Sequence, residues 1–545
     1  MKPWIRNTIF AGCCLTAAGV VGGRFLQRPE FAGPKSFAAG IYSEPDFHQT
    51  VARVDTAFAS DWQAAGVVPV ERATDLVLAR RLSLALTGTI PSLEEVRALE
   101  AYGGGERVQW WLAHLFEDRR YSDYFAERFA RIAVGVEDGP FIIYRRHRLV
   151  SWLSDQFHAN RPYDEVVRAM ITAQGIWTSK PEANFVTVTV DPNNDKEGPD
   201  EVKLAGRVSK AFLGVRLDCV QCHDDFLGGT WKQQDFHRLA AFFVQAEMSM
   251  TGVRDDTKKD YHYRYLKHLE KEIVPPQVPF NESLLPVEGA LRERLARWVT
   301  HPDNRPFARS LVNRIWALMF NRPLHQPVDG IPLTGPFPPG LEALADDLIA
   351  HHFDLQRLIR LIAATKVFQL DSRSPDPEHP VDQAQAARFA AFPLTRLRPE
   401  QVAGSVLQSA NLRTIDAGSH VLVRMVRFFQ EKDFIKRYGD AGEDEFGATG
   451  GTIPQRLVMM NGKLVHERTK EDLVMNSATR IGSVSPNDIT AVETAYLTVL
   501  TRRPSHDERE HFVERLKNGL NQKRAQLMED LFWALINSTE FSWNH

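Results

Sequence analysis

Cysteine is scarce in this chain: 545 residues contain four, and Cys13 and Cys14 both lie in the first 25 residues. The remainder of the chain has only Cys219 and Cys222. A disulfide between residues three apart closes too short a loop to constrain the unfolded chain much, so it stabilises little. The scarcity therefore excludes a disulfide-stabilised scaffold, and it indicates that Cys219 and Cys222 serve chemistry rather than stability.

An excess of charge of one sign is also missing, because 66 basic residues face 69 acidic ones, for a formal net charge of −3. The sequence has no long basic run, and we expect no nucleic-acid partner. It lacks the G-x-S-x-G, P-loop and H-E-x-x-H motifs, so no pattern favours a hydrolase. An enzyme with scattered catalytic carboxylates stays open. At 43% hydrophobic and 25% charged, the composition is that of a globular protein of about two to four domains.

The N-terminal residues differ from the rest of the chain. Lys2 and Arg6 carry positive charge, residues 8–23 carry none, and Arg24 ends the apolar run. A basic start followed by an apolar stretch is typical of a secretory signal peptide, and this stretch is shorter than the roughly 20 residues of a membrane span. We therefore predict that residues 1–25 are a cleaved signal peptide or a retained anchor. The protein is expected to be exported, periplasmic or at the cell surface, with residues 8–23 as its membrane association if they are retained.

Apolar residues recur at helical spacing through most of the chain, which predicts a mainly α fold. Four of the clearest predicted helices are 73–88, 91–105, 201–213 and 235–248. One short run, Asn184–Val190, alternates like a strand. A charged, proline-containing stretch at 251–285 suits an interdomain linker. We therefore predict two helical domains, 45–250 and 286–545, after the N-terminal segment.

The two isolated cysteines belong to the motif Cys219-x-x-Cys222-His223, within "LDCVQCHDDF". C-x-x-C-H is the attachment motif of a c-type haem. Its two thiols lie about one helical turn apart and bind one edge of the porphyrin, and the histidine is the proximal iron ligand. We predict haem c on Cys219 and Cys222, with His223 bound to the iron. A zinc site, a redox-active thiol pair and a plain disulfide are the alternatives.

A sixth iron ligand would have to come from outside the motif. Thioether and imidazole are the usual partners in a low-spin haem, and Met248, Met250 and His237 lie close enough in sequence to supply one. An iron without a sixth protein ligand is the alternative. In the zinc interpretation, the two cysteines would need further ligands, which could come from His237, His262, His268 and Asp225.

Longer stretches of the sequence resemble two bacterial domain families. The stretches "RRLSLALTGTIPSLEEVRAL", "FLGVRLDCVQCHDDF" and "WKQQDFHRLAAFF" resemble the planctomycete cytochrome-like domain of unknown function. The stretches "LARWVTHPDNRPFARSLVNRIWALMFNRPLHQPVDGI", "RLRPEQVAGSVL" and "DLFWALINSTEF" resemble the planctomycete surface domain that commonly follows it in one chain. This resemblance covers roughly residues 45–545. It implies an exported bacterial protein with a C-x-x-C-H site, and it implies no known reaction.

The motif departs from that family pattern in one respect. In the family it usually continues C-H-D-H-P, whereas here Asp225 and Phe226 follow Asp224. Any role of the second histidine is therefore absent or moved in this chain.

These features together predict an exported c-type cytochrome-like protein that transfers electrons through one haem to a redox partner protein, which the sequence does not name. One alternative is a cell-surface structural or binding protein whose C-x-x-C-H motif is a zinc or disulfide site. Another is an extracytoplasmic enzyme of unknown reaction.

Overall fold

The structure is a computed structural model that describes most of the chain after residue 38. The described residues are 34, 37, 39–139, 144–191, 198–224, 231–266, 269–376, 378–416, 421–439, 442, 446, 451–473, 476–518 and 524–545. For residues 421–428 and 518 the description covers the backbone alone. The predicted signal or anchor at residues 1–25, and the candidate ligands Asp225 and His268, lie outside these ranges.

The described chain is mostly helical, with 59% helix and 4% strand, so the prediction of a mainly α fold is confirmed. None of the helices that the structure describes has the length and hydropathy of a membrane span. The α-helices, in chain order, are α1 Pro45–Ala65, α2 Asp75–Thr87, α3 Leu93–Ala101, α4 Arg107–Glu117, α5 Arg119–Val134, α6 Arg146–His158, α7 Tyr163–Thr172, α8 Asn184–Thr187, α9 Glu201–Val208, α10 Gln233–Ala240, α11 Leu291–Val299, α12 Arg305–Phe320, α13 Leu341–Ala350, α14 Leu355–Ala364, α15 Lys366–Gln369, α16 Gln383–Ala387, α17 Pro399–Ser409, α18 Val421–Tyr438, α19 Ile453–Asn461, α20 Lys463–Thr469, α21 Ser477–Val484, α22 Asp488–Leu500, α23 His506–Asn518 and α24 Arg524–Ile536.

The strands in the described residues form three small antiparallel pairs. They are β1 Ala246–Ser249 with β2 Gly252–Asp255, β3 His262–Tyr263 with β4 Glu272–Ile273, and β5 Thr395–Arg396 with β6 Trp543–Asn544. Each pair is too short to form a layer of its own, so the strands join helical regions rather than build a sheet.

Local sequence accounts for the start of helix α3. Ser92 precedes α3, and its hydroxyl accepts a hydrogen bond from the Glu95 backbone N–H at 3.2 Å. The Glu95 carboxylate in turn accepts from the Ser92 N–H at 2.7 Å. This reciprocal pair is a capping box, which satisfies two backbone donors at the start of a helix. The predicted helix start at Pro91–Ser92 is confirmed.

The prediction of a strand at Asn184–Val190 is wrong, because the chain makes the short helix α8 there. The branched side chains that suggested a strand are buried in helical geometry instead, among them Val186 and Thr187. The Asn184 side chain also folds the chain back on itself, since it bonds to backbone groups of Arg145, Trp177 and Pro181.

Two large hydrophobic cores hold the described residues together. The first draws on residues from Phe47 to Phe392, and the second draws mainly on residues from Leu397 to Phe541. The segment predicted as a linker, 251–285, contributes five buried side chains to the first core: Val253, Tyr261, Tyr265, Val274 and Val278. The predicted domain boundaries stay a prediction, but this segment packs as part of the protein interior.

The C-x-x-C-H motif lies between two helices that pack in the first core. Helix α9 continues as a π-helical turn, Ser209–Leu213, and ends at Gly214 with a left-handed φ of 64°. A 3-10 turn follows at Asp218–Gln221, and α10 begins at Gln233. The predicted helix over 201–213 is thereby confirmed, and the motif forms the loop that joins α9 to α10.

Candidate functional site

The C-x-x-C-H motif is exposed on this loop. Cys219 lies in the 3-10 turn and Cys222 ends it, and both thiols are free and exposed. His223 is exposed as well. Val220, between the two cysteines, is buried, so the turn is anchored in the core while both cysteines face the surface.

The ligand-type atoms of the motif are not gathered around a single point. Within the described part of the chain, one set of three such residues has ligand atoms that all lie within 4.8 Å of one another, and it comprises Glu95, His114 and Asp118. The two sulfurs and the imidazole of the motif do not form such a set. At least two of these three ligand atoms are therefore more than 4.8 Å apart.

The tautomer of His223 follows from its hydrogen bond. Its Nδ1 lies 2.8 Å from the carbonyl oxygen of Asp224. A carbonyl oxygen only accepts, so Nδ1 carries the hydrogen and the lone pair of the neutral ring is on Nε2. A histidine that binds a metal through Nε2 has this arrangement, with the other ring nitrogen donating to a backbone carbonyl.

Gln233, the first residue of α10, holds the end of the motif loop. Its side-chain amide donates to the carbonyl oxygens of Gln221 at 3.1 Å and Cys222 at 3.0 Å. Its backbone N–H donates to the Asp224 carboxylate at 2.9 Å. Because Gln233 is buried, these bonds attach Gln221, Cys222 and Asp224 of the loop to the start of a helix.

His237, one turn further along α10, bonds to the same loop from below. Its Nε2 lies 2.9 Å from the Gln221 carbonyl oxygen, so Nε2–H is the donor. Its Nδ1 lies 2.9 Å from the Tyr261 hydroxyl and accepts that hydrogen when the ring is neutral. Burial lowers the pKa of His237, although the Gln221 carbonyl partly opposes the shift. Both ring nitrogens are thus engaged, so an axial role for His237 through Nδ1 would require the bond to Tyr261 to break, while the bond from Nε2 to Gln221 could stay.

Three tyrosines surround His237, and sequence reasoning missed them. The Tyr263 ring stacks on the imidazole with centroids 3.4 Å apart, and Tyr265 meets it edge-on at 5.9 Å. Burial raises the pKa of Tyr263, and the nearby Cys222 thiol raises it further. The signal was present as alternating tyrosines in "YHYRY", since alternate residues of an extended segment share a face, but the segment was predicted as a linker.

The two candidate methionines lie on a hairpin rather than at a helix end. Helix α10 stops at Ala240, so the prediction of one helix from 235 to 248 is wrong. Met248 lies in β1 opposite Val253, and Met250, in the turn after β1, is fully exposed. The buried pair Phe242 and Phe243 ends the helical stretch in a 3-10 turn, which redirects the chain. A ligand role for either methionine stays a prediction.

The zinc alternative relied on further histidines or Asp225. His262 is exposed on β3, and His237 is bonded at both nitrogens as described above. His268 and Asp225 lie outside the residues that the structure describes. The structure therefore brings none of the described candidates, His237 or His262, into one ligand set with the cysteines.

The set Glu95, His114 and Asp118 already contains an ion-pair partner, Arg120. The Glu95 carboxylate is 3.0 Å from His114 Nε2 and 2.5 Å from the Arg120 guanidinium, which also contacts Asp118 at 2.6 Å. Burial alone would raise the pKa of Glu95, but Arg120, followed by His114 and the Ser92 N–H, holds it well below its ordinary value. This cluster is an internal ion-pair network, in which the Arg120 cation pairs with both carboxylates.

Comparison with protein families divides the chain into two matched regions. Residues 53–248 match the family PSCyt2, described as a protein of unknown function (DUF1549). Residues 291–516 match the family PSD1, described as a protein of unknown function (DUF1553). No curated protein and no solved structure matches the chain significantly. The chain thus carries two families of unknown function in tandem, and the C-x-x-C-H motif lies in the first of them.

Proposed function

We propose that this chain is an exported c-type cytochrome-like protein, in which Cys219 and Cys222 attach one haem and His223 binds its iron. One observation carries the proposal: two exposed thiols and an imidazole with its lone pair on Nε2 lie on a loop whose backbone is firmly held. Haem, when bound, supplies one-electron chemistry. The protein's residues would hold the haem attachment points in place and set their surroundings.

The surroundings of the loop are suited to that task. The Gln233 amide donates to the carbonyls of Gln221 and Cys222, and the neutral His237 ring donates to that of Gln221. These bonds matter because hydrogen bonding and burial near a haem set its reduction potential.

We also propose where the protein is located and how its domains are arranged. Residues 8–23 act as the export or anchor segment, and two helical domains follow. Export suits covalent haem attachment, which takes place outside the cytoplasm. The electron partner is a redox protein that approaches the exposed loop around Cys219–His223.

The test is covalent haem on the full chain, made in a host with cytochrome-maturation machinery. We expect haem staining after denaturation, and an intact mass raised by one haem. Cys219→Ser with Cys222→Ser should abolish both signals, whereas the matched control Cys13→Ser with Cys14→Ser should keep them. A wild-type chain that carries no haem in that host contradicts the proposal, and one equivalent of zinc in its place would favour the metal-site alternative.

A further inference from the structure

The segment that enters the motif, Gly214–Leu217, contacts residues matched by the second family as well as residues of its own. The backbone N–H of Ile331 donates to the Gly214 carbonyl oxygen at 2.9 Å. Ser310 of α12 lies so close that a Cβ at Gly214 would meet its Oγ at 3.0 Å and its Cβ at 3.1 Å. Both Ser310 and Ile331 fall within residues 291–516, so the approach to the motif is shaped by the other unit.

An ion pair between a buried carboxylate and an exposed arginine adds to this contact. Arg216, three residues before Cys219, donates from Nε to the Asp329 carboxylate at 2.7 Å. Lys210 lies 3.8 Å from the other carboxylate oxygen. Asp329 is only 2% exposed, and a buried carboxylate left without a cation is strongly destabilising. The entering segment and Asp329 are therefore held together by charge as well as by packing.

The loop that carries Asp329 is itself fixed on α12. The Asn313 side chain donates to the carbonyl oxygens of His325 and Val328 at 2.9 and 3.2 Å. The same side chain accepts from the His325 N–H at 2.9 Å. Asn313 is fully buried, so Asp329 is presented from a rigid support.

We infer that residues 310–331 of the second unit position the C-x-x-C-H segment, with Asp329 as a positioning residue that acts through Arg216. The second unit holds the start of the segment, and Gln233 and His237 of α10 hold its end. Cys219 lies between these attachments, and Cys222 is held by the second through its carbonyl oxygen. The inference rests on the proposed function only in taking the thiols as attachment points, and it gives residues 291–516 a role in the site of the first family.

The experiment measures the segment directly in the full chain. In Asp329→Asn, we expect hydrogen exchange of the amides in residues 215–220 to rise about tenfold, the factor that corresponds to about 1.4 kcal/mol of lost restraint. The reduction potential of the Cys219–Cys222 pair, measured against glutathione on haem-free protein, should shift as well. The matched control is Asp347→Asn, since Asp347 is also a buried carboxylate of the second unit and pairs with Arg357 at 2.9 Å.

Two further variants separate positioning from general destabilisation. Gly214→Ala should reproduce the faster exchange, because of its left-handed φ and the close Ser310 side chain, and adding Ser310→Gly should recover part of the loss. Arg216→Lys, which keeps a cation near Asp329, should stay closer to wild type than Arg216→Met.

Equal exchange and equal potential in Asp329→Asn and Asp347→Asn would overturn the inference, whether or not haem is attached. A wild-type chain without haem would overturn the proposed function alone, because the exchange and the thiol potential are read on haem-free protein.

Discussion

Two groups of ligand-type side chains in the first matched family have opposite characters. Glu95, His114 and Asp118 lie within ligand distance of one another, yet the Arg120 guanidinium already pairs with both carboxylates. The C-x-x-C-H group is more widely spaced, and its thiols and imidazole face the surface. The closer group therefore resembles a metal site by distance alone, while the open group has the accessibility that a cofactor requires.

The difference teaches that close spacing of ligand atoms does not by itself mark a metal site, because a countercharge can already satisfy the closer group. Carboxylates that already have a buried cation are satisfied without a metal, and removal of that cation leaves an uncompensated buried charge. Exposed groups contribute little to folding, so they are available for chemistry. The predictions below test this contrast.

The largest effect is expected from Arg120→Met. The change leaves the buried Glu95 carboxylate without its main cation, and the free energy of unfolding should fall by about 3–5 kcal/mol. Urea unfolding followed by circular dichroism measures the loss. The neighbour Arg119 serves as the control, because its ion pairs with Asp123 and Asp155 are exposed and Arg119→Met should cost less than about 1 kcal/mol. Similar losses in the two variants would contradict the distinction.

Glu95 should also make the stability of the folded protein depend on pH in the acidic range. The pKa of Glu95 is lowered in the folded protein, so the unfolded chain takes up the proton first as the pH falls below about 4.3. The stability that Glu95 contributes is present above that pH and is lost as the pH falls further. Urea midpoints of wild type and Glu95→Gln should therefore differ most near neutrality and converge in acid. A difference that does not change with pH would exclude this role.

A smaller effect is expected beneath the motif, from His237→Phe. Phenylalanine keeps the stacking on Tyr263 but removes both hydrogen bonds, which leaves the Tyr261 hydroxyl without its acceptor. We expect a loss of about 1–3 kcal/mol. His262→Phe is the control. His262 is exposed on β3, so this change should alter stability by less than about 0.5 kcal/mol. If haem is attached, an altered spin state in His237→Phe but not in His262→Phe would instead support the axial-ligand prediction.

His237 should also leave a signature at mild acidity. Burial lowers its pKa in the folded state, so the unfolded chain binds a proton first as the pH falls below about 6.5. Wild-type stability should therefore decline from that pH downward, and His237→Phe should lack this part of the decline. Parallel stability curves for the two proteins between about pH 6.5 and 5 would argue against a neutral buried ring.

The smallest effect on folding is expected from the motif itself. Cys219→Ser with Cys222→Ser changes two exposed side chains, and the haem-free protein should lose less than about 0.5 kcal/mol. The same pair of substitutions should remove all covalent haem. A large loss of stability in the haem-free variant would indicate that the cysteines serve folding rather than attachment.

Sequence periodicity was a good guide where one face of a helix decides the outcome. The helices around Ser92 and over 201–213 were predictable because capping residues and apolar spacing are local signals. Periodicity did not show that Arg80 and Arg81 of α2 are buried. Each donates to distant backbone carbonyls, which belong to Val499, Phe541, Phe368, Leu370 and His545. No local pattern encodes partners hundreds of residues away.

The sequence by itself determined the motif, the mainly α character, and the isolation of Cys219 and Cys222 from any other cysteine beyond the N-terminal segment, because these are properties of residue type and spacing. Only the tertiary structure decided what surrounds the motif. It placed His237 and the tyrosines of a predicted linker beneath the loop, and Asp329 of the second unit behind it. Such contacts depend on which surfaces meet when hydrophobic faces are buried, and residues far apart in the chain meet only after the core has formed.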